Sequence, residues 1–174
     1  MNRVTIVGTT GSGKSTLGER LAARLDAPFV DLDALNWGPG WAPSPVPVFR
    51  ERAAAALSGE RWVVAGNYSE LRDIVWGRTG TLVWLDFPLP IVLWRLLRRT
   101  IRRVATQEEL WGGNRERLLD QFASHDSLFL YALRTHYRRR REYPAALSRP
   151  EHAHLRVLRF RFPGEVECWL DNPM

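Results

Sequence analysis

Gly8-Thr9-Thr10-Gly11-Ser12-Gly13-Lys14-Ser15-Thr16 decides how the chain is read. Gly8, four residues, then Gly13-Lys14-Ser15 is the spacing of a phosphate-binding loop, G-x-x-x-x-G-K-[ST]. Its surroundings fit. Arg3-Val4-Thr5-Ile6-Val7 is a short β-branched run without a breaker, which suits a buried strand. Downstream, Leu17, Leu21 and Leu25 recur at helical spacing. The glycines therefore stand where a strand ends and a helix begins. They open dihedrals closed to other residues, so successive N–H groups point inward at an anion, and the helix N-terminus adds partial positive charge. The pattern implies ATP cradled by Gly8, Thr9, Thr10, Gly11, Ser12, Gly13, Lys14, Ser15 and Thr16. Lys14 would reach the β- and γ-phosphates and the Ser15 hydroxyl would ligate Mg²⁺. Lys14 is the only lysine; every other basic residue, histidines apart, is arginine. A planar guanidinium would not sit inside the loop as a compact ammonium does.

Outward from this loop, 174 residues with 45% hydrophobic content make one domain, residues 1–174, with a real core. A net charge of +6 and a pI near 10.4 favour anionic partners, nucleotides or nucleic acid. The single Cys168 excludes an internal disulfide and a cysteine-rich metal site. No apolar run approaches the ~20 residues that span a membrane. The start, Met1 to Gly8, enters a strand without a signal-peptide layout, so a soluble cytoplasmic protein is expected.

Ala27 to Asp31 reads as a second strand, ending in Asp31-Leu32-Asp33. Carboxylates just past a strand's C-terminal end lie where open α/β sheets bind ligands. One could orient Mg²⁺, and the other could accept a proton from the group being phosphorylated. The alternative is a helix cap plus a solvated neighbour. Residues 34–47 are rich in glycine and proline and carry Trp37 and Trp41, which either stack on an acceptor or plug the loop into the core. Val48 to Leu57 is helical. Arg61 to Gly66 is strand three, and Gly66-Asn67-Tyr68 lies at the same binding edge. Ser69 could cap the next helix. Arg72, one turn in, would meet an acceptor anion or else pair with Asp73 or Glu70. Thr81 to Asp86 is a buried parallel strand. A helix from about Ile91 to Val104 places Arg95 and Arg99 on one face, able to stabilise the transferring phosphoryl group. Residues 105–114 look like a glycine-hinged lid. Asn114 would cap a helix from Arg115 to about Arg141, with Arg115 and Arg117 closing over the phosphates. Arg138 to Arg141 is either a solvated helix end or a nucleic-acid contact. His152 and His154 are expected at the surface, Leu155 to Phe160 as the last strand, and Cys168 buried in a final helix.

On these segments the chain resembles the nucleoside monophosphate kinases. Leu85-Asp86-Phe87-Pro88 followed by Arg95 and Arg99 is similar to the adenylate kinase pattern, which implies Arg95 on the adenine, Arg99 on phosphate and Arg115 as the lid arginine. Asp31-Leu32-Asp33 resembles the shikimate and gluconate kinase branch, which implies Asp31 for Mg²⁺ and Asp33 for the substrate. Asp33 to Trp37, Gly66 to Ser69, Arg72 to Trp76 and Trp111 to Glu116 resemble bacterial adenylate-kinase-like proteins labelled DNA topology modulation proteins. The stretch G-F-P-R of adenylate kinases is here Gly66-Asn67-Tyr68-Ser69, which does not speak for AMP as acceptor. The expectation is a three-layer α/β P-loop kinase with a short lid and, by resemblance, a five-stranded parallel sheet in the order 2-3-1-4-5. It would move the γ-phosphoryl of ATP to an unidentified small molecule. Lys14, Asp31, Asp33, Arg95, Arg99 and Arg115 would be catalytic. Ser15 and Asp31 would hold the metal. Asp33, Trp37, Trp41, Gly66, Asn67, Tyr68 and Arg72 would face the acceptor. The competing class is a nucleotide-gated DNA-binding regulator with weak ATPase activity.

Overall fold

In a computed structural model, which describes residues 1–115 and 128–171, the strand–loop–helix unit at the amino end seeds a parallel sheet. The elements in chain order are β1 (Arg3–Gly8), α1 (Lys14–Leu25), β2 (Phe29–Asp31), α2 (Leu32–Asn36), α3 (Val46–Ala56), β3 (Trp62–Ala65), α4 (Arg72–Arg78), β4 (Thr81–Leu85), α5 (Leu89–Thr106), β5 (Glu109–Leu110), β6 (Asn114–Arg115), α6 (Leu128–Leu147), β7 (Arg156–Phe160) and α7 (Pro163–Asp171). Five strands pair in parallel in the order β2-β3-β1-β4-β7. This is the expected order 2-3-1-4-5, with the fifth sheet strand counted after the small antiparallel pair β5–β6.

The strands are apolar on both sides because helices cover both faces. Alternate residues divide between two cores. Trp62, Val64, Leu82 and Trp84 pack with Phe49 and Ala53 of α3, Val75 and Trp76 of α4, and Tyr143 and Ala146 of α6. Val4, Ile6, Val63, Val83 and Leu85 pack with Leu17 and Leu21 of α1, Val92 of α5, and Val166 and Leu170 of α7. Each buried valine, leucine, isoleucine or phenylalanine among them stabilises the fold by about 1.5–3 kcal/mol relative to exposure. The sheet edges are modest. β2 is three residues long, and β7 is largely exposed and carries Arg156 and Arg159.

Several local expectations change. The glycine- and proline-rich stretch, read from its composition as irregular over residues 36–47, begins on the last residue of α2, contains a 3₁₀ turn at Pro39–Trp41 and runs into α3 at Val46. Ser69 does not cap α4; its hydroxyl turns to Glu70. Asn114 is not a helix cap but a buried residue of β6, because Trp41 N, Gly38 O and Trp111 O all bond its carboxamide. Residues 116–127, including Arg117, lie outside the described residues. His152 is buried edge-on to Trp76, 5.1 Å between ring centroids. Cys168 is exposed. Val166 and Leu170, four apart, take the inner face of α7 and turn position 168 outward.

Candidate active site

The loop after β1 is laid against α5, and only glycine permits it. Gly11 has φ 85°, and a Cβ there would stand 2.9 Å from Leu96 Cβ and from the Val92 carbonyl. Ser12 N donates to Thr9 O at 3.0 Å and closes the turn. The buried Ser12 hydroxyl has no hydrogen-bond partner among the described residues. Above the loop opens a cleft of about 1190 Å³. Thr10 to Thr16 line it, together with Asp31, Asp33 and Gly66, the α5 arginines 95, 98, 99, 102 and 103, and Glu108 to Trp111.

Lys14 lines this cleft, and its Nζ donates to Thr9 O at 3.4 Å. Desolvation, then the guanidinium of Arg139, lowers its pKa to about 8, with the Asp33 carboxylate opposing. Leu32 is buried, which leaves its neighbours Asp31 and Asp33 to face the cleft. Asp31 caps α2 by accepting from Asp33 N at 3.0 Å, and its other oxygen accepts from Ser15 Oγ at 2.9 Å. Burial, and then the neighbouring Asp33 charge, raises the Asp31 pKa. Arg95 donates to Ser12 O at 3.1 Å and lies 5.2 Å over the Phe87 ring. It thereby brackets the loop from the α5 side, with Arg99 one turn further along the cleft wall.

Serine hydroxyl and carboxylate are hard oxygen donors of the kind Mg²⁺ takes, one or two from protein and the rest from water and phosphates. The adjoining Ser15 and Asp31 fit that requirement. Among the described residues no group of three or more His, Cys, Asp or Glu could hold a metal on its own.

Other expected residues lie elsewhere. Gly8 and Thr9 sit behind the cleft, Gly8 bonded to Asn67 and buried Thr9 to His136 Nδ1 at 3.2 Å. Asn67 and Tyr68 do not line the cleft, although Tyr68 OH donates to Asp33 Oδ1 at 2.6 Å. Burial, then the Asp33 carboxylate, pushes the Tyr68 phenol up. Trp37 and Trp41 form an edge-to-face pair 6.1 Å apart and are also outside it, while Trp111 is inside. Arg72 begins α4 and stacks 4.8 Å over the Trp76 ring. It pairs with neither Asp73 nor Glu70; Arg50 holds Asp73 at 2.6 Å. Arg115 pairs with Glu109 at 3.7 Å across the β5–β6 pair and does not line the cleft, because that pairing turns it outward.

Sequence reasoning placed Arg139 in a basic cluster, as part of a solvated helix end or a nucleic-acid contact, and not in the interior. It is buried, donates to Thr135 Oγ1 at 3.1 Å and Tyr131 OH at 3.3 Å, and has no carboxylate partner among the described residues. A signal was present. Ala132, Thr135, His136, Arg139, Tyr143 and Ala146 recur at helical spacing and form the inner face of α6.

Residues 10–36 match the family model described as Shikimate kinase. The chain is 33% identical over 132 residues to a shikimate kinase of Microcystis aeruginosa, covering 68% of this chain and 69% of that one. It is 36% identical over 142 residues to a shikimate kinase of Gloeobacter violaceus, covering 73% and 78%. It superposes on the structure of shikimate kinase from Acinetobacter baumannii in complex with shikimate with a TM-score of 0.57. That match is 19% identical in sequence and covers 97% of this chain and 88% of that one, a likeness of fold.

Proposed function

Because the chain belongs to the shikimate kinase family and is a P-loop phosphotransferase, we propose that it transfers the γ-phosphoryl of ATP to a hydroxyl of a small anionic acceptor, shikimate first among candidates. One observation carries this. The Ser15–Asp31 bond of 2.9 Å, Lys14 and the free oxygen of Asp33 meet in one cleft. Ser15 and Asp31 would hold Mg²⁺, which, when bound, neutralises charge on the phosphates. Lys14 and Arg99 offset the negative charge that gathers on the transferring group, and Arg95 fixes the nucleotide over Phe87.

Asp31 is committed to Ser15 and to the backbone of α2, whereas Asp33 keeps Oδ2 open. Asp33 therefore takes the acceptor's hydroxyl proton. Arg139, buried and without a carboxylate partner among the described residues, supports an acceptor that brings its own negative charge. Dependence on ATP fits a cytoplasmic setting, and among the described residues no helix is long and apolar enough to cross a membrane.

The narrower resemblance to proteins labelled DNA topology modulation proteins would make Arg138 to Arg141 a nucleic-acid contact. That reading draws less support. Arg139 is buried, Arg140 is bonded to Asp86 at 2.6 Å, and Arg138 lies 3.7 Å from Glu142.

The test is ATP-dependent phosphorylation across shikimate, other hydroxy acids, polyols and nucleosides. Lys14→Ala should lower turnover by about 100-fold or more while the circular dichroism spectrum stays unchanged. Undiminished turnover overturns the assignment.

A further inference from the structure

We propose that the turn leaving β3, Gly66-Asn67-Tyr68, is a positioning device that sets the nucleotide loop with one residue and the acceptor base with the next. Asn67 spans both backbone groups of Gly8, the residue at which β1 becomes the phosphate loop. Gly8 N donates to Asn67 Oδ1 at 2.9 Å, and Asn67 Nδ2 donates to Gly8 O at 2.6 Å. One backbone donor and one acceptor dictate which way the carboxamide faces. The Tyr143 hydroxyl of α6 donates to the same Oδ1 at 3.2 Å and holds it there. The start of the loop is thus fixed by a side chain 59 positions away in sequence.

Tyr68 works on the other substrate. Its hydroxyl donates to Asp33 Oδ1 at 2.6 Å and accepts from Asn36 Nδ2 at 3.4 Å. Its ring stands edge-on to Phe49, 4.8 Å between centroids. The hydroxyl is therefore held at both ends, and the Asp33 carboxylate cannot rotate freely. Oδ1 is occupied, and Oδ2 is left for the proton of the acceptor.

Gly66 makes the turn possible. Its φ is 153°, and a Cβ there would lie 2.7 Å from the side chain of Leu32, the residue between the two aspartates. Neither Asn67 nor Tyr68 lines the cleft, so both act through the residues they hold. Only the Tyr68 half rests on the proposed role of Asp33 as base.

The two halves have opposite kinetic signatures, which a general loss of packing would not produce. Binding of N-methylanthraniloyl-ATP with Mg²⁺, read by fluorescence without acceptor, should weaken about 10-fold in Asn67→Ala and about 3-fold in the gentler Tyr143→Phe. Tyr68→Phe should leave that affinity within about twofold but lower kcat about 10-fold, with shikimate as the probe acceptor and KM for ATP unchanged. Unchanged analogue binding in both Asn67→Ala and Tyr143→Phe overturns the nucleotide half. Unchanged kcat in Tyr68→Phe, where Asp33→Asn is inactive, overturns the acceptor half. Asp33→Asn with full activity overturns the role of Asp33 as base and the acceptor half with it, and a wild-type chain that phosphorylates no member of the acceptor panel overturns the proposed function as well; the nucleotide half is then decided by analogue binding alone.

Discussion

Lys14 carries its charge in a place that disfavours it, and a triphosphate would reverse the balance. With its pKa lowered to about 8 by burial, then by Arg139 and Arg99, the free protein loses this proton as pH rises past that value. Bound phosphates stabilise the ammonium, so ATP binding should take up a proton at pH 8–9 and almost none at pH 6. Calorimetry in buffers of different ionisation enthalpy should show uptake rising towards about one proton per ATP. The stability link has a definite sign. Between pH 8 and 10.5 the unfolded chain holds more of this proton than the folded one, so stability rises with pH through that window. Below it the cost of the buried charge is fully present, and Lys14→Met should raise the melting temperature at pH 7. At this scale the motif residues were legible because a phosphate loop is local in sequence. Asn67 and Tyr68 were expected to face the acceptor; in the structure their side chains bond Gly8 and Asp33. Their hydrogen bonds reach 59 and 35 positions along the chain, and no spacing rule encodes that.

Short elements were the hardest to read, because tertiary contacts rather than propensity form them. β5 and β6 have two residues each, and Asn114 ties them to the Pro39–Trp41 turn through Trp41 N at 3.1 Å and Gly38 O at 2.8 Å. Asn114→Ala should leave these part-buried backbone groups without their side-chain partner at a local cost of about 1 kcal/mol. Hydrogen exchange should then quicken in residues 38–41 and 109–115 while the central strands keep their protection. The exit of β4 carries a different constraint. Buried Asp86 accepts from Arg140 at 2.6 Å and from Arg159 at 2.6 Å, and Arg159 also stacks 4.2 Å over Trp84. Asp86→Ala should leave both guanidinium groups unpaired and cost about 3 kcal/mol, read as a lower urea midpoint. The long elements divide: α6 runs on to Leu147, past the expected end near Arg141, and Arg115, expected in it, belongs to β6. α1, α5 and the sheet strands were recognised from periodicity, within a few residues at their ends.

At the scale of the whole molecule, the residues implied a parallel α/β sheet, but its strand order came from the resemblance to nucleoside monophosphate kinases, because pairing between distant strands leaves no trace in local spacing. Net charge was a poorer guide. The +6 balance suggested nucleotides or nucleic acid, yet three of the four residues Arg138–Arg141 are paired within the protein or buried. Filter binding of duplex DNA should therefore show no retention even at about 50 mM salt; retention that falls steeply with added salt would restore the alternative. A last consequence follows from the borders of the sheet. A second molecule seeking to extend it would meet three residues of β2 on one side and the guanidinium-studded β7 on the other. Neither offers a long, flat, uncharged row of amides for recruitment, so concentrated stocks should stay free of cross-strand fibres for as long as the chains remain folded.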